Sequence, residues 1–312
     1  PSSFSPPQPS QLHHCPLRHL LLATDFSAAA AQALQRALFL AKAHAAGLTV
    51  LHVVPGGRVK AIQFLDMRPE AEVMAQVLAG SREEMEQHLA PWSALPESPR
   101  LTSRLEVGTP AQVISRLAGE LPADLVIVGG QGERALLGML LGATVHQVLR
   151  QAPCPVLVVK QPPRDDYTRL LLPTDFSPQA LAAARIAQAF APAAAKELLH
   201  VFEVPFERQL YFAGARDDTL AFYRQQAESG AQRAMADFTG RLGWPRRPGT
   251  RLRQGYAPAE IDRVARDFAC DLIVLASRSR SELGAQLLGS VSLHVMEEAT
   301  CDLLLVPAQG ED

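Results

Sequence analysis

Short apolar runs bounded by turn residues alternate along this chain with longer stretches of helical spacing. Residues 18–23 form an apolar run that stops at Thr24-Asp-Phe-Ser27, the pattern of a buried strand. Ser27 is a good N-cap for an Ala-rich helix over about 28–45, which Gly47 is expected to end. A second strand is predicted at 49–54. Residues 69–89 carry helical spacing at Val73, Val77, Met85 and Leu89, and 101–107 alternates as a third strand. Gly108-Thr-Pro110 opens a helix through Leu117, with Pro at a first-turn position. A fourth strand at 125–128, a glycine-containing loop at 129–141, a helix at 143–150 and a last strand at 156–159 follow.

The same order then returns. Leu20-Leu-Leu-Ala-Thr-Asp-Phe-Ser27 reappears as Leu170-Leu-Leu-Pro-Thr-Asp-Phe-Ser177, and Leu51-His-Val-Val54 as Leu199-His-Val-Phe202. Asp124-Leu-Val-Ile-Val128 reappears as Asp271-Leu-Ile-Val-Leu275, and Ala152-Pro-Cys-Pro-Val-Leu-Val-Val159 as Ala299-Thr-Cys-Asp-Leu-Leu-Leu-Val306. The offsets are 150, 148, 147 and 147 residues, so one domain is present twice, not a short solenoid unit. Strands of the second copy are predicted at 170–172, 198–202, 250–253, 272–275 and 303–306. The division reads as an N-terminal arm (1–16), domain 1 (17–160), a polar linker (161–167) and domain 2 (168–308). Strands alternating with helices predict α/β domains, each a five-stranded parallel sheet covered on both faces. The linker is too short to hold the copies apart, so they are expected to pack as a pseudo-dimer. Ligands of such sheets sit beyond the carboxyl ends of the strands, where the strand order reverses.

Composition narrows the function classes. Hydrophobic residues are 47% and charged residues 20%, the balance of a soluble globular chain. A formal net charge of −2 argues against gripping nucleic acid by its phosphates. No apolar run approaches the roughly 20 residues of a membrane helix. Nothing at the start reads as an export signal. None of Cys15, Cys154, Cys270 and Cys301 forms a C-x-x-C pair; Cys154 and Cys301 are repeat equivalents in apolar runs, expected as buried thiols in a reducing cytoplasm. His13-His14-Cys15 lacks further ligands at metal-site spacing.

Gly129-x2-Gly132-x9-Gly142 stands directly after a strand and directly before a helix. Glycines permit close backbone approach and positive φ, and a helix N-terminus offers amides and dipole charge to a phosphate. Asp25, at the end of strand 1, can accept hydrogen bonds from a ribose or base. Taken together, Ala-Thr-Asp-Phe-Ser, Leu-His-Val, Gly-x-Pro, Asp-Leu-Val-Ile-Val-Gly and Ala-Pro-Cys-Pro-Val-Leu-Val-Val resemble the universal stress protein family over about 18–160 and again over 168–307, like its tandem members. The resemblance implies a Rossmann-like five-stranded parallel domain, often paired through its last strand, whose ATP-binding members carry G-x2-G-x9-G followed by Ser or Thr.

The implied cofactor is ATP or another adenine nucleotide, with or without Mg²⁺. In copy 1 the resemblance selects Ala23, Thr24, Asp25 and Val53 at the adenosine end, and Val128, Gly129, Gly132, Gly142, Ala143 and Thr144 around the phosphates. In copy 2 it selects Pro173, Thr174, Asp175 and Val201, then Ala276, Ser279, Gly289, Ser290 and Ser292. Each copy departs from the pattern differently. Ala143 stands where the hydroxyl belongs, and Ala276 and Ser279 replace two glycines, in a loop that also carries Arg278 and Arg280.

There is no P-loop, no G-x-S-x-G elbow and no His-x-Gly-His signature, so no dedicated catalysis is expected. The repeated His52 and His200 read as packed core histidines, and Phe222, Tyr223, Met235 and Phe238 as a core stripe. The functional expectation is a cytoplasmic stress or signalling module that binds a nucleotide, more strongly in copy 1. Its partners are the nucleotide, the other copy within the chain and, left open, a second chain. A pseudo-dimer that binds something other than a nucleotide and a weak ATPase are the alternatives.

Overall fold

The computed structural model describes residues 17–57, 62, 69–93, 100–130, 141–164, 166–204, 209, 212, 216–277, 279–280 and 286–308. Repeat 1 runs β1 (His19–Thr24), α1 (Ala28–His44), β2 (Gly47–Pro55), α2 (Glu70–Ser93), β3 (Leu101–Gly108), α3 (Pro110–Glu120), β4 (Leu125–Gly129), α4 (Ala143–Gln151) and β5 (Val156–Val159). Repeat 2 runs β6 (Arg169–Pro173), α5 (Pro178–Phe190), β7 (Ala195–Phe202), α6 (Asp217–Leu242), β8 (Gly249–Gln254), α7 (Ala257–Asp267) and β9 (Leu272–Ala276). It continues through β10 (Ser279–Arg280), β11 (Gln286–Leu287), α8 (Ser290–Glu298) and β12 (Asp302–Val306).

Ten strands join in one sheet, ordered β3-β2-β1-β4-β5-β12-β9-β6-β7-β8. Each repeat contributes five parallel strands whose order reverses between its first and fourth, the Rossmann-like switch point. The single antiparallel junction is β5 with β12, with Leu157 opposite Leu304. These two leucines are repeat equivalents, so a pseudo-twofold axis passes between them. The last strands therefore pair within the chain, which the sequence had left open.

Side chains alternate across the sheet and both faces are buried. Leu20 and Leu22 join one apolar cluster, with α1, α2, α5 and α6, while Leu21 joins the other, with α3, α4, α7 and α8. Both clusters run through both repeats without a break at the junction.

Several local expectations change. Helix α1 is ended by Ala45, held at φ 53° with its N–H on the Ala41 and Lys42 carbonyls, while Gly47 opens β2. Helix α2 continues past Leu89, through Pro91, to Ser93. Met235 and Phe238 are core, but Phe222 and Tyr223 lie on the solvent side of α6. Their rings meet edge to face there, at 5.8 Å between centroids. Cys301 is buried, whereas Cys154 is only half-buried. The arm with His13, His14 and Cys15 lies outside the described residues.

The end of the predicted linker is not a spacer. Tyr167 is buried and donates from its hydroxyl to Asp302 Oδ2 at 2.6 Å. Asp302, 1% exposed, also accepts from the Lys160 and Gln161 amides at 2.8 and 3.1 Å, and Arg36 Nε lies 3.7 Å from its Oδ2. The Arg36 guanidinium also covers the Tyr167 ring at 4.1 Å. This polar cluster ties repeat 1 and the linker to β12.

Candidate functional site

The repeated Thr-Asp-Phe-Ser motif turns the chain from strand to helix through a ladder of local hydrogen bonds. Thr24 Oγ1 accepts from the Phe26 amide, Asp25 Oδ1 from the Ser27 amide, and Ser27 Oγ from the Ala30 amide that caps α1. The second copy repeats all three at Thr174, Asp175 and Ser177. Phe26 and Phe176 are consequently left-handed, at φ 63° and 64°. Such backbone is costly for an aromatic residue and persists only where its surroundings fix it. Here the phenyl ring lies against a histidine, at 4.4 Å from His52 in one copy and 4.2 Å from His200 in the other. Each histidine in turn bonds through Nδ1 to the threonine carbonyl, Thr24 or Thr174, at 2.9 and 2.8 Å. Both histidines are thus packed and hydrogen-bonded, and the turn they brace presents Asp25 and Asp175 to solvent.

Across the switch point of repeat 1, Leu22 is level with Ile127, which puts Thr24 beside Gly129. A Cβ on Gly129 would stand 2.8 Å from the carbonyl of Ala29, so close contact between β4 and the start of α1 demands a glycine there. The Gly130 amide bonds to the Val159 carbonyl, and the Gly130 carbonyl accepts from the Gly142 amide at 3.1 Å. That last bond closes the loop and brings the N-terminus of α4 to the end of β4. Gly142, at φ −71°, is ordinary extended chain and does not use the freedom of positive φ that a glycine permits. No side chain caps α4. Its first turn, at the exposed Ala143 and Thr144, offers amides to an anion. Val53 and Val128 are buried beneath this edge, and Ala23 is half-buried. Gly132 lies outside the described residues.

Repeat 2 builds the same frame with a different loop. Leu171 is level with Ile273, which puts Ala276 at the position matching Gly129 of repeat 1, with its Cβ packed against the core. Ser277 takes the place of Gly130: its amide bonds to the Val306 carbonyl and its buried hydroxyl accepts from the Ala308 amide at 2.7 Å. Beyond it, Ser279 lies in β10, paired antiparallel with β11, and β11 packs against α4 of the other repeat. This hairpin was not foreseen. Helix α8 begins after Gly289, at φ −67° and again without a side-chain cap; Ser290 is exposed and Ser292 half-buried. Pro173 and Val201 are half-buried at the far side of this edge. Arg278 and the Arg280 side chain lie outside the described residues.

Among the described residues no group of three or more His, Cys, Asp or Glu side chains could hold a metal, and no helix is long and apolar enough to cross a membrane.

The family model described as the Universal stress protein family matches residues 16–160 and 166–307. A putative universal stress protein of Staphylococcus aureus is 30% identical over 166 residues, 52% of this chain and 90% of that protein. The crystal structure of a universal stress protein from Archaeoglobus fulgidus covers 93% of this chain and 98% of its own, at 18% identity and a TM-score of 0.66. One from Lactobacillus plantarum covers 46% of this chain and 97% of its own, at 26% identity and a TM-score of 0.39. The repeated motifs, the Rossmann-like strand order in each half and the double family match together make this chain a tandem, two-domain member of the universal stress protein family.

Proposed function

We propose that the chain is a stress-response module of the cytoplasm that binds an adenine nucleotide at the β1/β4 edge of repeat 1, without dedicated catalysis. The observation that supports this most is the Gly142 amide bond to Gly130, which sets the uncapped start of α4 beside the turn presenting Asp25. The phosphates would meet the amides of Ala143 and Thr144, and Asp25 would serve the ribose.

Isothermal titration with ATP and Mg²⁺, and separately with AMP, tests the reading. Binding in the wild type is expected, and Ala143→Ser should tighten ATP about tenfold by adding a hydroxyl donor to a charged group, on the order of 1.5 kcal/mol. No heat and no thermal shift at millimolar ATP would overturn it. A different ligand or a protein partner is the reading favoured for repeat 2, because a hairpin occupies the segment that carries glycines in repeat 1.

A further inference from the structure

Cys270 and Cys301 are far apart in sequence, but their sulfurs lie 3.5 Å apart, both buried, at 8% and 4% exposure. They sit just before β9 and β12, which are neighbouring parallel strands with Leu272 opposite Asp302. This places the two cysteines on adjacent strands, offset by one residue. Strand spacing and rise then put their Cα atoms about 6 Å apart, within the span a disulfide bridges. They form the floor of a cavity of about 300 Å³ whose rim includes the exposed Gln161, Arg266, Ala269 and Thr300. The cavity lies at the amino ends of the strands, away from the candidate nucleotide edge.

Repeat 1 has no counterpart. Cys154 matches Cys301, but Ala123 stands where Cys270 would be. A second asymmetry accompanies the pair. The Lys160 ammonium donates to the Met296 and Ala299 carbonyls, both at 2.7 Å, and lies within Coulombic reach of Cys301. Pro307 is its equivalent in repeat 2. The hydrogen bond to Cys301, with burial, pushes the Cys270 thiol up, so it keeps its proton.

We propose that Cys270 and Cys301 are a peroxide-oxidised dithiol that closes an intramolecular disulfide within repeat 2. The Cys301 thiolate attacks one oxygen of hydrogen peroxide. The O–O bond breaks, the departing hydroxide takes up a proton as water, and Cys301 becomes a sulfenic acid. The Cys270 sulfur then attacks the Cys301 sulfur and gives up its proton, and the S–O bond breaks to release a second water. Two thiols lose two electrons and two protons in all, and one peroxide becomes two waters. An external thiol reverses the bond by exchange.

The test treats the full chain with stoichiometric hydrogen peroxide, blocks remaining thiols in denaturant and maps tryptic peptides by mass. Cleavage at Arg266, Arg278 and Arg280 separates the two cysteines. Peptides 267–278 and 281–312 are expected as one linked species that dithiothreitol releases. Cys154→Ser should leave the linkage unchanged. Cys270→Ala should abolish it and still fold, since Ala123 fills the matching place in repeat 1, and circular dichroism checks that it does. The wild-type map decides without any variant. If both sulfurs remain alkylatable after peroxide, or if either bridges to Cys154 instead, the proposal is overturned.

Discussion

Gly129 is the residue on which structural and binding explanations compete most directly. Its missing Cβ is required by the Ala29 carbonyl alone, before any ligand arrives. Gly129→Ala is therefore expected to destabilise the nucleotide-free protein by about 1–3 kcal/mol, read as a lower urea midpoint. Unchanged stability would return Gly129 to a purely ligand-facing role. Lys196 raises a different residue-scale question. Its ammonium is buried at the end of α5, where it donates to the Ala191, Pro192 and Ala194 carbonyls, and burial lowers its pKa to about 8. The unfolded chain then holds more protons than the folded one between pH 8 and the ordinary lysine value, so this group's contribution to stability grows as pH rises through that window. The stability difference between wild type and Lys196→Met should move in favour of the wild type between pH 8 and 10.5. A difference that stays flat in paired urea titrations would contradict the assignment.

Each strand-to-helix turn is a self-contained device at the scale of the element. Ser27→Ala and Ser177→Ala should each cost about 1 kcal/mol by removing one N-cap, and the two values should agree because the hydrogen bonds match at 3.2 and 3.1 Å. Thermal denaturation of the two variants checks both the cost and the equality.

At this scale the sequence was also most readable. Buried apolar runs located the inner strands of the sheet, whereas the edge strands β3 and β8, which have no fully buried residue, were placed by alternation and by the repeat; Ser27 marked the start of α1, and its echo Ser177 stands at that of α5. Three features were hidden. The left-handed phenylalanines could not be read, because their backbone is fixed by the histidines of the neighbouring strands. The hairpin of β10 and β11 was missed because Ser279 and Arg280 carry no apolar alternation. The closeness of Cys270 and Cys301 depends on β9 and β12 being neighbours, which spacing along the chain does not encode. The replacement of Ala123 by Cys270 was the signal that could have drawn attention to it.

The molecule as a whole is held together by the pairing of β5 with β12. Since Leu157 faces its own equivalent, β5 can in principle pair with another β5 in the same register. A fragment comprising residues 17–160 is expected to form a homodimer, which light scattering coupled to gel filtration would detect; a monomer would show that β5 cannot replace β12. That dimer should be weaker than the native junction, because Asp302 has Pro155 as its equivalent and its cluster would be lost.

The junction in the intact chain is one-sided in its chemistry. Arg36, Lys160, Tyr167 and Asp302 correspond to Ile186, Pro307, Leu17 and Pro155 in the other repeat. A dimer of identical subunits could not hold such an arrangement, since any residue on one side of its axis appears on the other. Joining the halves also changes how they respond to dilution. A two-chain assembly separates as its concentration falls, whereas covalently joined halves meet at an effective concentration set by the few residues between them. Whatever each edge binds, the cell receives the two in equal number and already in register, even when very few molecules are made.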